Sequence, residues 1–169
     1  MSSHVGEENM PVTIGWREWV ALPDLGLPAV KAKVDTGART SALHALDIER
    51  FTRDGGKDWV AFTAQPLQRT TSIERRCEAP LIDIRKVTDS GGHTQERFFI
   101  TTRLCIGNMT REVEITLSPR SNMLFRMLLG RTSIAPLMMV NPSVSYTVGQ
   151  LDGRTLYADD QASSGSKKI

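Results

Sequence analysis

Short stretches in which apolar and polar residues alternate run through most of the chain. The clearest example places Ala32 and Val34 on one face of an extended segment, whereas Lys31 and Lys33 point the other way. Extended segments are predicted over residues 12–22, 27–35, 40–51, 59–64, 81–87, 97–106 and 111–118. Many short strands with almost no helical periodicity predict an all-β fold, either a barrel or a sandwich.

The same pattern divides the chain into three regions. Residues 1–11 are polar and are expected to be disordered. Residues 149–169 are also polar and are expected to form a flexible C-terminal tail. A single domain over residues 12–148 remains, and its one short helix is predicted to begin near Arg131.

The composition of the 169 residues is that of an ordinary globular protein, with 40% hydrophobic and 24% charged residues. The formal net charge of +2 gives no bulk attraction to nucleic acid or membranes, so neither is an expected partner. No run of 18 apolar residues occurs, and the first ten residues lack the apolar core of a signal peptide. The expected location is the cytoplasm.

The chain has two cysteines, Cys77 and Cys105, which lie far apart in the sequence. A chain of this size needs no disulfide to complete its core. In a reducing compartment we expect both to be reduced, buried thiols.

The segment that ends at Asp35 breaks directly into Thr36-Gly37. Gly37 permits a tight turn and a close approach of another backbone, and the Thr36 hydroxyl can lock such a turn. An acid in this position is either a solvated surface residue or has a chemical role. The tripeptide alone leaves both interpretations open.

A second motif makes the pattern more specific. The sequence Val34–Ser41 is followed about 90 residues later by Leu128–Arg131. Together they resemble the retropepsin-like aspartic peptidases, in which Asp-Thr-Gly-Ala follows an apolar strand and Gly-Arg precedes a short helix. The resemblance covers residues 12–140. It implies a closed, acid-protease-like barrel of six or more strands with one short C-terminal helix.

This resemblance implies a homodimer, because one Asp-Thr-Gly per chain is half of an aspartic-peptidase site. The two Asp35 side chains would meet and share a proton. Thr36 would bond across the twofold axis, and Gly37 would permit the close approach. Structural support of this loop is assigned to Ser41, Gly130 and Arg131.

The chain resembles more closely a bacterial family labelled ATP-dependent zinc proteases. The shared blocks are Arg17–Val20, Lys33–Ala45, Arg76–Leu81 and Leu128–Arg131. The resemblance implies an association with ATP-grasp glutamate ligases, so such a ligase is an expected partner. The implied substrate is an acidic or poly-glutamate tail on a protein such as a ribosomal protein.

The residues themselves do not support the zinc and ATP of that label. None of His4, His44 and His93 has a partner at the spacing of a His-Glu-x-x-His helix. The chain also lacks a Gly-x-x-x-x-Gly-Lys-Ser/Thr phosphate loop. We therefore predict no cofactor and no metal.

The chain departs from viral retropepsins at Arg39, where those proteins have an acid that pairs with the arginine of the Gly-Arg block. Arg39 either points to solvent or faces an acidic substrate. Three further arginines either assist, since arginine suits carboxylate recognition, or form a solvated face. The predicted substrate-binding residues are Ala38, Arg39, Arg69, Arg75 and Arg76.

Retropepsins close a glycine-rich hairpin over the cleft, and two hairpins of this chain are candidates. The first is residues 88–94 and the second is residues 52–58. A Gly-Gly pair at the tip would make either hairpin mobile.

Three functions follow from these observations. The first is a homodimeric aspartic endopeptidase that acts on acidic tails through Asp35. The second is a non-catalytic module that holds acidic tails in the same cleft. The third is a zinc-dependent peptidase with an unfamiliar set of ligands.

Overall fold

The computed structural model describes residues 10–88, 91–119 and 124–158. Within them lie ten strands: β1 Val12–Ile14, β2 Arg17–Leu22, β3 Leu27–Asp35, β4 Ser41–Arg53, β5 Lys57–Ala64, β6 Arg75–Thr88, β7 Thr94–Ile106, β8 Met109–Ser118, β9 Met127–Gly130 and β10 Met138–Val140. The helical parts are short: a 3-10 turn at Pro23–Leu25, α1 at Arg131–Ile134, and α2 over 153–158. The predicted all-β class and the short helix beginning at Arg131 are confirmed.

The expected single strand over residues 12–22 is wrong, because Gly15 and Trp16 separate β1 from β2. A side chain at Gly15 would lie only 2.3 Å from the carbonyl oxygen of Val144. The segment around Val144 therefore packs directly against Gly15, and the first strand ends there. β1 instead pairs in parallel with β10.

Six strands pair in a ring in the order β2-β3-β9-β4-β8-β7. The contact that returns to β2 is a single pair, Ala21 with Cys105. Two of the pairings are parallel: β3 with β9, in which Asp35 lies opposite Gly130, and β4 with β8, in which Ser41 lies opposite Ile115. β5 and β6 form a second path from β4 to β7.

The core is filled by the inward-facing side chains of these strands. Typical members are Val20, Leu22, Leu43 and Ile115, each at most 1% exposed. Alternation accounts for this arrangement, since every second residue of a strand faces the same side. No helix in the described part of the chain is long and apolar enough to cross a membrane.

The packed structure continues past residue 148, the boundary expected from composition. Tyr157 on α2 is fully buried, and its hydroxyl donates a 2.8 Å hydrogen bond to the Ala29 carbonyl. Residues 149–158 therefore include part of the fold. The remainder of the expected tail, 159–169, and residues 1–9 of the expected N-terminal region lie outside the described residues.

Both cysteines are free thiols. Cys77 is buried as expected, and this burial raises its pKa to about 12. Cys105 is only half-buried, because its strand position faces outward beside Thr110.

Candidate active site

Asp35 is the last residue of β3 and lies opposite Gly130 of β9 in the parallel pairing. A Cβ atom at Gly130 would lie 2.5 Å from the carbonyl carbon of Thr40, so only glycine allows the two segments to approach this closely. The pairing fixes the end of β3. It thereby brings the two motifs, about 90 residues apart in the sequence, into direct contact.

The turn after Asp35 is closed by its own backbone. The Gly37 amide donates to Asp35 Oδ1 at 3.1 Å, and the Ala38 amide donates to the Asp35 carbonyl at 3.2 Å. Among the described residues, nothing donates to Asp35 Oδ2. Asp35 is half-buried beside the exposed Thr36 and Gly37, so its carboxylate keeps a free oxygen at the surface.

Arg131 holds this turn from the start of α1. Its guanidinium donates to the carbonyl oxygens of Thr36 at 3.3 Å and Gly37 at 3.1 Å. Its backbone amide donates to the Ala38 carbonyl at 2.9 Å. Arg131 therefore binds main-chain oxygens on three successive residues. These oxygens take the place of the acid that viral retropepsins have at the position of Arg39.

Ser41 joins the two motifs from below. Its hydroxyl accepts from the Gly130 amide at 3.0 Å and lies 2.6 Å from the hydroxyl of Ser133. Both serines are fully buried. Because these polar groups satisfy one another, the loop rests on a buried, hydrogen-bonded base.

Sequence reasoning missed Thr132 and Ser133. Thr132 donates to the Arg39 carbonyl through its amide at 3.1 Å and through its hydroxyl at 2.8 Å. A signal was present, since Arg-Thr-Ser occurs at residues 39–41 and again at 131–133. The two copies meet in the fold.

The predicted arginines separate into different environments. Arg39 is exposed next to the Asp35 turn, and its carbonyl accepts the Thr132 hydrogen bonds. Arg69 is exposed in a loop with a φ of 60° and lines a cavity beside β2 and β3.

Arg75 and Arg76 are engaged in contacts within the fold. The Arg75 guanidinium donates to the Tyr157 carbonyl at 3.0 Å and lies 5.1 Å from the centre of its ring. Arg76 donates to the Asp47 carbonyl at 2.7 Å and is 3.3 Å from the Glu49 carboxylate. Neither of these two arginines is among the lining residues of the cavity that Arg69 lines.

Two further predictions concern metal ligands and the flap. In the described part of the chain, no three His, Cys, Asp or Glu side chains lie together as a metal would require. His44 Nε2 instead lies 3.2 Å from Gln65 Oε1 in the interior. Part of the first flap candidate, 89–90, lies outside the described residues, and the choice between the two hairpins stays a prediction.

A comparison with protein families decides the relationship that the motifs indicate. The model of the RimB-like family, described as "Retropepsin-like aspartic endopeptidase RimB", matches residues 13–150. The chain belongs to the RimB-like family. The resemblance inferred from the Asp-Thr-Gly and Gly-Arg blocks is thereby confirmed.

Several curated relatives are larger proteins with a different name. A "Probable alpha-L-glutamate ligase" of Shewanella pealeana is 41% identical over 92% of this chain, and a protein of the same name from Desulfotalea psychrophila is 39% identical over 92%. Both matches cover 34% of the relative. The RimB-like chain thus spans about a third of the length of these relatives.

A solved structure has a similar fold. It is a Legionella pneumophila protein of unknown function (DUF785), 26% identical, which aligns with a TM-score of 0.69. The alignment covers 82% of the RimB-like chain and 99% of the Legionella protein. The shared part is therefore nearly the whole of that smaller protein.

Proposed function

We propose that this chain is one half of an aspartic endopeptidase, active as a homodimer in which two Asp35 carboxylates form the catalytic pair. The observation that carries the proposal is the Asp35–Gly37 turn clamped by Arg131. It presents a carboxylate with a free oxygen on a rigid base, as a catalytic group requires. As part of this proposal, the ring of six strands is a closed, acid-protease-like barrel.

The homodimer is a chemical requirement of the proposal. Two carboxylates within hydrogen-bonding distance cannot both be ionised, so one holds a proton that both share. The Asp35 turn is exposed at Thr36 and Gly37, which leaves its surface open for a second copy. Thr36 is the residue proposed to bond across the twofold axis.

The proposed reaction is peptide hydrolysis through a water molecule held between the carboxylates. The ionised Asp35 takes a proton from the water molecule, and the water oxygen attacks the carbonyl carbon of the peptide bond. At the same time the neutral Asp35 of the other copy donates its proton to the carbonyl oxygen. The tetrahedral intermediate then breaks its carbon–nitrogen bond as the leaving nitrogen receives a proton. The products are a carboxylic acid and an amine, and the pair returns to its shared-proton state.

The proposed substrate is an acidic or poly-glutamate tail on a cytoplasmic protein, such as a ribosomal protein. Support comes from the relatives named glutamate ligases, in which a segment similar to this chain is about a third of the protein. A hydrolase joined to a ligase would meet the product of that ligase. A separate ATP-grasp ligase is accordingly the proposed partner of this chain.

The test compares wild-type protein with Asp35→Asn on a peptide that ends in a run of glutamates, with a glutamine-tailed peptide as control. The reactions contain no nucleotide and are run with and without a chelator, and mass spectrometry reads the products. We expect cleavage of the glutamate peptide by wild-type protein alone. Equal cleavage by both proteins would exclude Asp35 as the catalyst, and cleavage abolished by the chelator would support a zinc peptidase.

A second candidate function is a non-catalytic module that holds acidic tails. It is favoured by the same relatives, because an accessory part of a ligase can serve by binding the growing product. The two functions differ at Asp35→Asn. A binding module would keep its affinity and show no turnover in either protein, whereas a peptidase would lose turnover and retain the bound substrate.

A further inference from the structure

A cavity of about 780 Å³ opens beside β2 and β3, away from the Asp35 turn. Its walls come from three distant parts of the sequence: the two strands, the loop 66–70, and the segment 146–154. The residues that give it its character are Arg17, Trp19, Lys31, Arg69, Tyr146 and Arg154. Residues 35–39 are not part of its lining.

The charge of this cavity is strongly unbalanced. Four of the lining residues are cations, and among the described residues none of these four forms an ion pair. Asp152, the one acid among the described lining residues, accepts from the Thr155 amide at 3.2 Å and the Thr155 hydroxyl at 2.8 Å. Its carboxylate therefore caps α2, and the cavity is left with an excess of positive charge.

Aromatic rings hold two of these cations in place. The Arg17 guanidinium lies 4.4 Å from the centre of the Trp16 ring and 4.9 Å from that of Tyr146. Lys31 Nζ lies 5.1 Å from the Trp19 ring and 5.6 Å from Tyr146. Within the described structure, Arg17 Nε is buried without a hydrogen-bond partner. Cations positioned in this way are ready for an anion, since little side-chain freedom is left to lose on binding.

The cavity also lies in line with Asp35. Lys31 and Asp35 occupy alternate positions of β3, so their side chains share one face of the strand with the exposed Lys33 between them. Arg17 of β2 lies directly opposite Lys33 of β3, so it extends the same basic face. Four strand steps of about 3.3 Å separate Lys31 from Asp35 by about 13 Å, the span of about four residues of extended peptide.

We propose that this cavity binds carboxylate side chains of an acidic peptide about four residues away from the bond that Asp35 cleaves. The proposal rests on the proposed function for the identity of the peptide as a glutamate tail. A tail long enough to reach the cavity gains charge-assisted hydrogen bonds to Arg17, Arg69 and Arg154. A shorter tail gains none of them, so the enzyme favours long tails.

The test measures binding in the Asp35→Asn background, so that no turnover is needed. The probes are fluorescent peptides with about eight or about two terminal glutamates, read by anisotropy. The cavity variant is Arg69→Gln/Arg154→Gln, which changes two exposed side chains. Its control, Arg50→Gln/Lys57→Gln, removes the same charge from exposed positions on β4 and β5.

We expect the cavity variant to weaken the long peptide about 10-fold or more, with the control variant within about 2-fold and the short peptide unchanged. Equal weakening by both variants would overturn the proposal, because the effect would then be general charge. Equal weakening of both peptides would overturn the reach to the cavity. Tighter binding of an oligonucleotide of equal charge, in competition with the long peptide, would assign the cavity to nucleic acid instead.

Turnover separates this inference from the proposed function. If wild-type protein cleaves tails but the cavity variant keeps the KM for long tails, the cavity proposal fails and the peptidase stands. If neither protein cleaves but the cavity variant still loses long-peptide binding, the peptidase fails and the cavity remains a site for acidic peptides. A raised KM for long tails alone, with kcat unchanged, supports both.

Discussion

Two carboxylates on neighbouring strands, Glu18 of β2 and Asp35 of β3, have opposite environments. Glu18 is fully buried and accepts hydrogen bonds from the Gly15 amide at 2.7 Å and from the Thr147 amide and hydroxyl at 3.1 and 2.9 Å. Asp35 is half-buried, and within the described part of the chain its carboxylate accepts one hydrogen bond, from the amide of Gly37. The carboxylate oxygens of Glu18 are occupied by hydrogen bonds within the fold, whereas Asp35 retains an oxygen that can take part in other chemistry.

The number of hydrogen-bond donors around each carboxylate distinguishes a structural acid from one that is available for catalysis. Glu18 also accepts from the Val148 amide at 3.3 Å, so it ties the crossing segment after Val144 to the start of β2. A buried carboxylate without such donors would carry a large desolvation cost. Asp35 is held by its backbone and by the Arg131 clamp on its turn, and its carboxylate contributes little to that arrangement.

The largest expected effect is on catalysis by Asp35→Asn. The amide oxygen of Asn can still accept from Gly37, so we expect the free energy of unfolding to change by less than about 0.5 kcal/mol. The cleavage rate of a glutamate-tailed peptide should fall about a thousandfold, because the shared proton is lost. Thermal melting and product formation test the two halves. A large loss of stability would mean that Asp35 is a structural acid like Glu18.

Glu18→Gln should give the reverse result. Its NH₂ group must face amide donors, so we expect a loss of about 3 kcal/mol in the free energy of unfolding, measured by urea denaturation. Glu114→Gln, an exposed position on β8, is the matched control and should change stability by less than about 0.5 kcal/mol. The folded fraction of Glu18→Gln should keep the wild-type rate. A rate loss without a stability loss would assign chemistry to Glu18.

The role of Glu18 could have been inferred from the sequence, and the role of the cavity could not. Glu18, Val20 and Leu22 occur at alternate positions, so an acid stands on the face that the pattern assigns to the core. The cavity is built from strands, a loop at 66–70 and a segment at 146–154, and only tertiary structure brings them together. Residues 149–158 were expected to be a tail because one aromatic residue, Tyr157, is a weak signal in a polar stretch.

The main features of the Asp35 site could be predicted from the sequence. The Asp-Thr-Gly and Gly-Arg blocks indicated which residues meet, and the parallel pairing of β3 with β9 brings them into contact. The partners of Arg131 were not predictable, because carbonyl oxygens carry no sequence signal. The arginines near residue 75 were grouped by sequence distance, but strand geometry directs Arg75 and Arg76 to different neighbours.

Arg131 offers a test of intermediate size. Arg131→Lys keeps the charge, but a shorter ammonium group replaces the guanidinium whose Nη1 donates to both the Thr36 and Gly37 carbonyls. We expect the rate of peptide cleavage to fall about 10-fold, with an unfolding free energy lower by about 1 kcal/mol. Lys57→Arg, at an exposed position on β5, is the control for an exchange of basic residues. An unchanged rate would show that the clamp does not position the Asp35 turn.

The smallest expected effect is on the reactivity of Cys77, a thiol that is buried without strong hydrogen-bond donors. Burial raises its pKa to about 12, and its Sγ lies 3.6 Å from the Arg75 carbonyl oxygen. The folded pKa exceeds the usual value of 9.0, so the neutral thiol stabilises the fold below pH 9 and this contribution is lost as pH rises towards 12. Native protein at pH 8 should therefore be alkylated by iodoacetamide more slowly at Cys77 than at the half-buried Cys105, and urea should remove the difference. Equal native rates at the two positions would contradict the protection of the Cys77 thiol by burial.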